Sequence, residues 1–173
     1  MMTLVIGGSK CGKSGYAESL FADFRGEKIY LATMRPFGDE AHAAIERHRK
    51  ARDGKGFSTV ERFTDIGGAA ESIVHGAGVL LEDMGNLCAN EMFSDERIID
   101  PTEKILCGVE EIRRAAALFV IVSNNVCADG IAYPRETALY IRYLSGINRR
   151  IAEISDNVVE CVYGIPIMRK GFL

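Results

Sequence analysis

The chain has 173 residues, 47% hydrophobic and 26% charged, with a net charge of −3; this is ordinary globular composition, which excludes a disordered chain and a general nucleic-acid binder. Its apolar runs fall far short of the ~20 residues a membrane-spanning helix needs, and no leader precedes the first apolar segment. The five cysteines at 11, 88, 107, 127 and 161 are odd in number and form no metal-ligand spacing, a pattern that fits reduced cytoplasmic thiols.

Residues 3–6 begin a series of short apolar runs, which continues at 28–32, 79–82, 118–123 and 158–163. Each is rich in β-branched or aromatic residues and reads as a buried strand of a parallel sheet. Between them lie helical spacings. Tyr16, Leu20 and Phe24 predict a helix over 13–24. Acids followed by bases predict one over 39–53. Ile105, Val109, Ile112 and Ala116 predict one over 102–118. A wide apolar stripe from Leu139 to Ile154 predicts a core or intersubunit helix over 136–154. The glycine-rich stretches 54–56 and 67–78 read as loops around a short strand and helix. The alternation predicts one α/β domain over 1–173, a three-layer sandwich around a mostly parallel sheet.

Residues 7–14 read Gly7-Gly8-Ser9-Lys10-Cys11-Gly12-Lys13-Ser14. This is G-x-x-x-x-G-K-S between a strand and a helix, the context that a phosphate-binding loop requires. Glycines let the backbone N–H groups turn inward, Lys13 reaches β- and γ-phosphates, and Ser14 suits Mg²⁺. The carboxylate partner for such a metal is expected at a neighbouring strand end. Glu82 is the first candidate there and Asp83 the second, the alternative being a helix cap.

On the 39–53 helix, Ala41, Ile45, His48 and Arg52 fall on one face. Arg47, Arg49, Lys50, Arg52 and Lys55 form a basic cluster suited to a triphosphate. Spacing alone favours a solvated basic helix end with an incidental histidine, although a neutral imidazole there has the chemistry of a nucleophile. His42 lies off that face and His75 in a glycine loop. The segment Asn124-Asn125-Val126 lacks the lysine and aspartate of a guanine-specific switch protein. The alternatives left open are a monofunctional P-loop kinase and a nucleotide-binding regulatory module.

Nearly the whole chain resembles the bifunctional adenosylcobinamide kinase / adenosylcobinamide-phosphate guanylyltransferase family of cobalamin synthesis. The resemblance runs through the loop, Tyr30-Leu31-Ala32-Thr33, Asp39-Glu40 with Ile45-x-x-His48-Arg49, Thr59-Val60-Glu61 and Leu80-Leu81-Glu82. It continues through Asn90-Glu91-Met92-Phe93, Asn124-x-Val126, Gly146-Ile147-Asn148 and Gly164-Ile165-Pro166. It implies a RecA-like P-loop fold, a propeller-shaped homotrimer, and two reactions. The first is phosphorylation of adenosylcobinamide by ATP or GTP. The second is transfer of GMP from GTP through a GMP–histidine phosphoramidate. By this resemblance His48 and Lys13 are catalytic, and Ser14 and Glu82 hold Mg²⁺. The nucleotide contacts map onto Gly7, Gly8, Ser9, Lys10, Cys11, Gly12, Lys13, Ser14, Thr33, Met34, Arg35, Lys50, Ala51, Arg52, Asp53, Glu61 and Glu82. The chain departs from its relatives at Arg47, where many carry a second histidine, at Cys11, often Ser, and at Asn125, often Glu; Lys10 adds a charge to the loop.

Overall fold

The computed structural model describes residues 1–94, 97–126 and 131–172; Cys127 lies outside them, as do the side chains of Glu40, Ala41, Ala44 and Ala51. Seven strands form one sheet in the order β3-β2-β4-β5-β1-β6-β7. In chain order these are β1 (Met2–Gly7), β2 (Lys28–Ala32), β3 (Phe57–Glu61), β4 (Gly78–Glu82), β5 (Leu118–Asn124), β6 (Asn157–Val162) and β7 (Ile165–Lys170). All neighbours are parallel except β6 and β7. The helices are α1 (Lys13–Ser19), α2 (Gly38–Arg52), α3 (Gly67–Ala70), α4 (Met84–Met92), α5 (Thr102–Ala115) and α6 (Arg135–Ile154). No helix among the described residues is long and apolar enough to cross a membrane.

Alternation along the strands explains the layers, because successive side chains point to opposite faces. Val5, Tyr30, Leu80, Val120 and Val122 join Ala17 and Phe21 of the α1 segment in one core. Their neighbours Leu4, Leu31, Val79, Leu81, Phe119 and Ile121 join α4, α5 and α6 in the other. Both faces are therefore apolar, which is why the strands read as continuous hydrophobic runs. This is the three-layer, mostly parallel sandwich anticipated. The chain leaves β1 towards β2 on one side and later returns to β6 on the other. Such a reversal opens a crevice beyond the carboxyl ends of the strands.

Several boundaries differ from expectation. The helix expected over 13–24 ends at Ser19, and tighter i, i+3 turns carry the chain to Phe24. Phe21 is thereby packed edge-on against Phe24 and Phe57. The 102–118 helix stops at Ala115, because Ala116 turns extended and Leu118 enters β5. The last apolar strand ends at Val162, since Tyr163 and Gly164 both take positive φ, 50° and 82°, to make a hairpin turn. Helix α4 bears out the alternative reading of Asp83, which caps it by accepting from the Asn86 N–H at 2.7 Å. One element was not expected. Strand β7 is an edge strand, mostly exposed, so no apolar alternation marks it; Pro166 suits an edge, where a missing N–H is tolerated.

Helix α6 proves to be a core helix, with Leu144, Ile147 and Ile151 fully buried. Ile147→Ala is expected to destabilise the protein by about 2–5 kcal/mol through lost burial and a residual cavity. Ala at the half-exposed Ile154 should cost markedly less, and urea denaturation of both variants checks the ordering.

Candidate active site

The loop after β1 takes its shape from two glycines. Gly12 adopts φ 92° at the start of α1, where a side chain would be strained. At Gly7 an added Cβ would come within 2.5 Å of Cys11 Sγ and 2.7 Å of the Cys161 carbonyl oxygen. Gly8, Ser9, Lys10 and Gly12 are exposed on the loop, and Cys11 is half-buried beneath it. Lys13 is buried and donates to the Gly8 carbonyl at 3.1 Å, so its ammonium curls back over the loop.

Ser14 donates to Glu82 Oε1 at the end of β4. Glu82 is only 7% exposed, and its Oε2 is buried without a hydrogen-bond partner among the described residues. Burial, only partly opposed by the Ser14 bond, pushes its carboxyl up to about 7. Asp83, the second carboxylate candidate, is committed differently: one oxygen caps α4 and the other is 3.4 Å from Asn124 Nδ2. Thr33 is fully buried behind the site, its hydroxyl donating to the Asp83 carbonyl at 2.7 Å. Asn90 braces the same corner through the Thr33 and Phe63 carbonyls.

Helix α2 turns its Ile45–His48–Arg52 face inward, as the spacing predicts. His48 Nδ1 stands 3.8 Å from Glu82 Oε1, with the imidazole 32% exposed. Burial first, then the Arg52 guanidinium, hold its pKa below the ordinary 6.5, which favours the neutral imidazole. Arg52 is buried with its guanidinium 3.3 Å above the Tyr30 ring, a cation–π contact. Its Nη1 is buried without a hydrogen-bond partner among the described residues.

Two adjoining cavities share a wall made by His48, Glu82 and Asp83. One holds Lys10, Lys13, Ser14, Arg47 and Lys55, a concentration of cations in an acidic protein. Lys55 is positioned there by the buried Glu18 carboxylate at 2.5 Å. The other cavity is lined by Tyr30, Met34, Ile45, Arg49, Arg52, Glu61 and Asn86 among others. The basic cluster of α2 is thus divided between two chambers. Arg35 and Lys50 are exposed and line neither, and Asp53 lies in a surface depression that adjoins the second cavity through Arg49, Arg52 and Thr59. Ala51 lies in α2 between Lys50 and Arg52. His42 and His75 are exposed and outside both cavities.

Sequence reasoning missed Asn86, Asn124 and Tyr30 as site residues. Asn86 carried a usable signal, the spacing of a helix cap from Asp83. Asn124 stood in the Asn124-x-Val126 element of the resemblance, but its place at the site depends on β5 lying beside β4. Tyr140 and Tyr143 pack against the core, and the Tyr140 hydroxyl donates to the Gly85 carbonyl at 3.4 Å.

The family model described as cobinamide kinase / cobinamide phosphate guanyltransferase matches residues 3–168. The chain is 30% identical over 188 residues to the bifunctional adenosylcobalamin biosynthesis protein CobU of Escherichia coli, covering 98% of this chain and 100% of that one. It is 32% identical over 187 residues to CobU of Salmonella typhimurium, with 98% and 100% covered. To the bifunctional protein CobP of Pseudomonas aeruginosa it is 25% identical over 173 residues, with 99% and 98% covered. With a phosphate loop, a strand-end carboxylate and a histidine gathered in one crevice, and a match along almost its full length, this chain belongs to the cobinamide kinase / cobinamide phosphate guanyltransferase family.

Proposed function

We propose that this enzyme phosphorylates adenosylcobinamide with ATP or GTP and then transfers GMP from GTP to the product, giving adenosylcobinamide-GDP and pyrophosphate. The observation that carries the reading is the position of His48 on the wall between the cationic chamber and the Tyr30–Glu61 chamber. A triphosphate in the first and a guanine in the second would bring the α-phosphate to the imidazole. Glu61 offers a carboxylate acceptor for the N–H donors of guanine.

In the first reaction the corrinoid hydroxyl attacks the γ-phosphate. Lys13 and the loop N–H groups stabilise charge on the transferring group, which is most of what such a reaction requires. In the second, neutral His48 attacks the α-phosphate of GTP, pyrophosphate leaves, and the corrinoid phosphate displaces the imidazole. Arg47, Lys10 and Lys55 line the cationic chamber and would face the departing pyrophosphate. The family resemblance also implies a homotrimer, which belongs to this proposal.

Mg²⁺ fits Ser14 and Glu82. Both offer hard oxygen donors, and Glu82 Oε2 is buried without a protein partner. When bound it would neutralise phosphate charge.

Intact mass after GTP exposure tests the histidine directly. Wild type is expected to gain one GMP, labile to acid and stable to base. His48→Asn should lose the adduct and guanylyl transfer yet keep measurable kinase activity, and an adduct that persists in His48→Asn refutes the assignment. Because the pKa of His48 is lowered, the acid limb of kcat/KM for adduct formation should fall below pH 6.5 in the free enzyme.

Glu82 makes a separate prediction about stability. Its folded-state pKa, about 7, is above its ordinary 4.5. Its contribution to stability is therefore fully present below pH 4.5 and is lost as pH rises through 7. In metal-free protein Glu82→Gln should be more stable than wild type at pH 8, by on the order of 2 kcal/mol. That advantage should vanish near pH 4.5; chemical denaturation at both pH values in the presence of a chelator checks it.

A further inference from the structure

Two thiols that the proposed chemistry does not use lie close to the same glycine, Gly7, beneath the phosphate loop. Cys11, half-buried in the loop, packs on the same core as the buried Cys161 of β6. Gly7 separates them. It is the register partner of Cys161 across β1 and β6. A Cβ at Gly7 would stand 2.5 Å from Cys11 Sγ and 3.5 Å from Cys161 Cβ. The absence of that Cβ is what lets the Cys11 sulfur settle beside the Cys161 side chain. The loop is fastened to the same strand end by the Gly164 N–H, which donates to the Cys11 carbonyl at 2.9 Å. Cys88 is buried in the opposite core and Cys107 is exposed on α5, so neither competes for this contact.

We infer that Cys11 and Cys161 form a redox modification site, in which a disulfide between them closes the phosphate loop to nucleotide. A peroxide is the oxidant class that a half-buried thiol beside a second thiol would take. The Cys11 sulfur attacks one peroxide oxygen, the O–O bond breaks, and hydroxide leaves to become water. The sulfur of Cys161 then attacks the Cys11 sulfenic sulfur and expels the second hydroxide, which also becomes water. Two thiols are oxidised to one disulfide and one hydrogen peroxide is reduced to two waters.

The order of attack follows from exposure. Burial, and then the neighbouring Cys11, push the Cys161 thiol up, which leaves it the resolving group rather than the first to react. The consequence for the loop is geometric. Phosphate binding needs successive backbone N–H groups to converge on one point. A bond from Cys11 down to β6 draws the peptide between Cys11 and Gly12 away from that point. It also strains the turn that Gly12 makes at φ 92°. Cytosolic disulfides are commonly transient and redox-sensing, which suits a bond made and broken on this loop.

The inference rests on residues 7–14 being the nucleotide cradle, and the test separates the two. Full-length protein is treated with hydrogen peroxide and followed by intact mass, by peptide mapping without reductant, and by GTP affinity in calorimetry. The expected results are loss of two hydrogens, a cross-linked pair of peptides carrying Cys11 and Cys161, and an affinity loss of about tenfold or more. All three should reverse with dithiothreitol. Cys161→Ser and Cys161→Ala should bind GTP like wild type when reduced and keep that affinity after peroxide. A linkage between other cysteines overturns the inference, as does an oxygen adduct in place of the two-hydrogen loss. Undiminished GTP affinity in the cross-linked protein also overturns it, as does an equal loss in oxidised Cys161→Ser. Reduced wild type that fails to bind GTP would instead overturn the nucleotide reading, on which the mass measurement does not depend.

Discussion

Glu82 sits at the end of a strand whose residues are all buried, where it is largely withdrawn from solvent and accepts one side-chain hydrogen bond, from Ser14. Taking a carboxylate out of water disfavours its charged form, and one hydroxyl does not offset that. The rest of the site is arranged around the discrepancy. Lys13 supplies an opposing charge, Ser14 supplies the donor, and His48 approaches from α2 without completing a hydrogen bond. The cores on both faces of β4 hold this group in place against its own preference. Strong packing in Val79, Leu80 and Leu81 is therefore part of the site, although none of the three touches it chemically.

Helix α2 illustrates how position and chemistry can rest on the same residues. It contains one large aliphatic residue, Ile45, and its N-terminus has no side-chain cap. Helices of this length gain most of their stability from a packed apolar face. Here the inward face instead carries Ile45, His48 and Arg52, with Arg52 stacked on Tyr30. The stacking holds the helix against β2 and also brings a cation near the imidazole, helping to keep it neutral. Replacing Arg52 by a neutral residue would thus alter the placement and the protonation of His48 together.

Much of the fold could be read from the chain because both faces of the sheet are buried. That makes the strands appear as apolar runs regardless of register. The phosphate loop was legible for a related reason: its chemistry needs particular residues at fixed spacing, a pattern that rarely arises by chance between a strand and a helix. Legibility ends where a residue's role depends on a distant neighbour. Tyr30 reads as a core aromatic until Arg52 is seen above it, and Glu18 as a helix acid until Lys55 arrives from the turn at Gly54 and Gly56. Lys50 shows the opposite failure. It belongs to the basic cluster in sequence, but two residues after His48 is a rotation of about 200° around the helix, which turns it out to solvent. Strand β7 escaped because an exposed edge has no hydrophobic period to detect.

The shared wall also bears on how one crevice would run two phosphorus chemistries. The proposed reactions place their electrophilic phosphorus at opposite ends of a triphosphate, γ for the kinase and α for the guanylyl transfer. A loop that cradles the β- and γ-phosphates can serve both if the nucleophile changes sides. On the proposed reading the acceptor hydroxyl would come from the Lys13–Ser14 end, whereas the imidazole stands on the wall between that chamber and the Tyr30–Glu61 one. Direct attack on the α-phosphate by the bulky corrinoid phosphate would bring two anions together beside the full charge of GTP. Loading GMP on His48, as proposed, would remove pyrophosphate first, so the acceptor would meet a phosphoramidate carrying less charge than GTP. Under that proposal the division of Arg47 and Lys55 from Arg49 and Arg52 between the chambers would set one pair towards the triphosphate tail that departs and the other towards the nucleoside that stays.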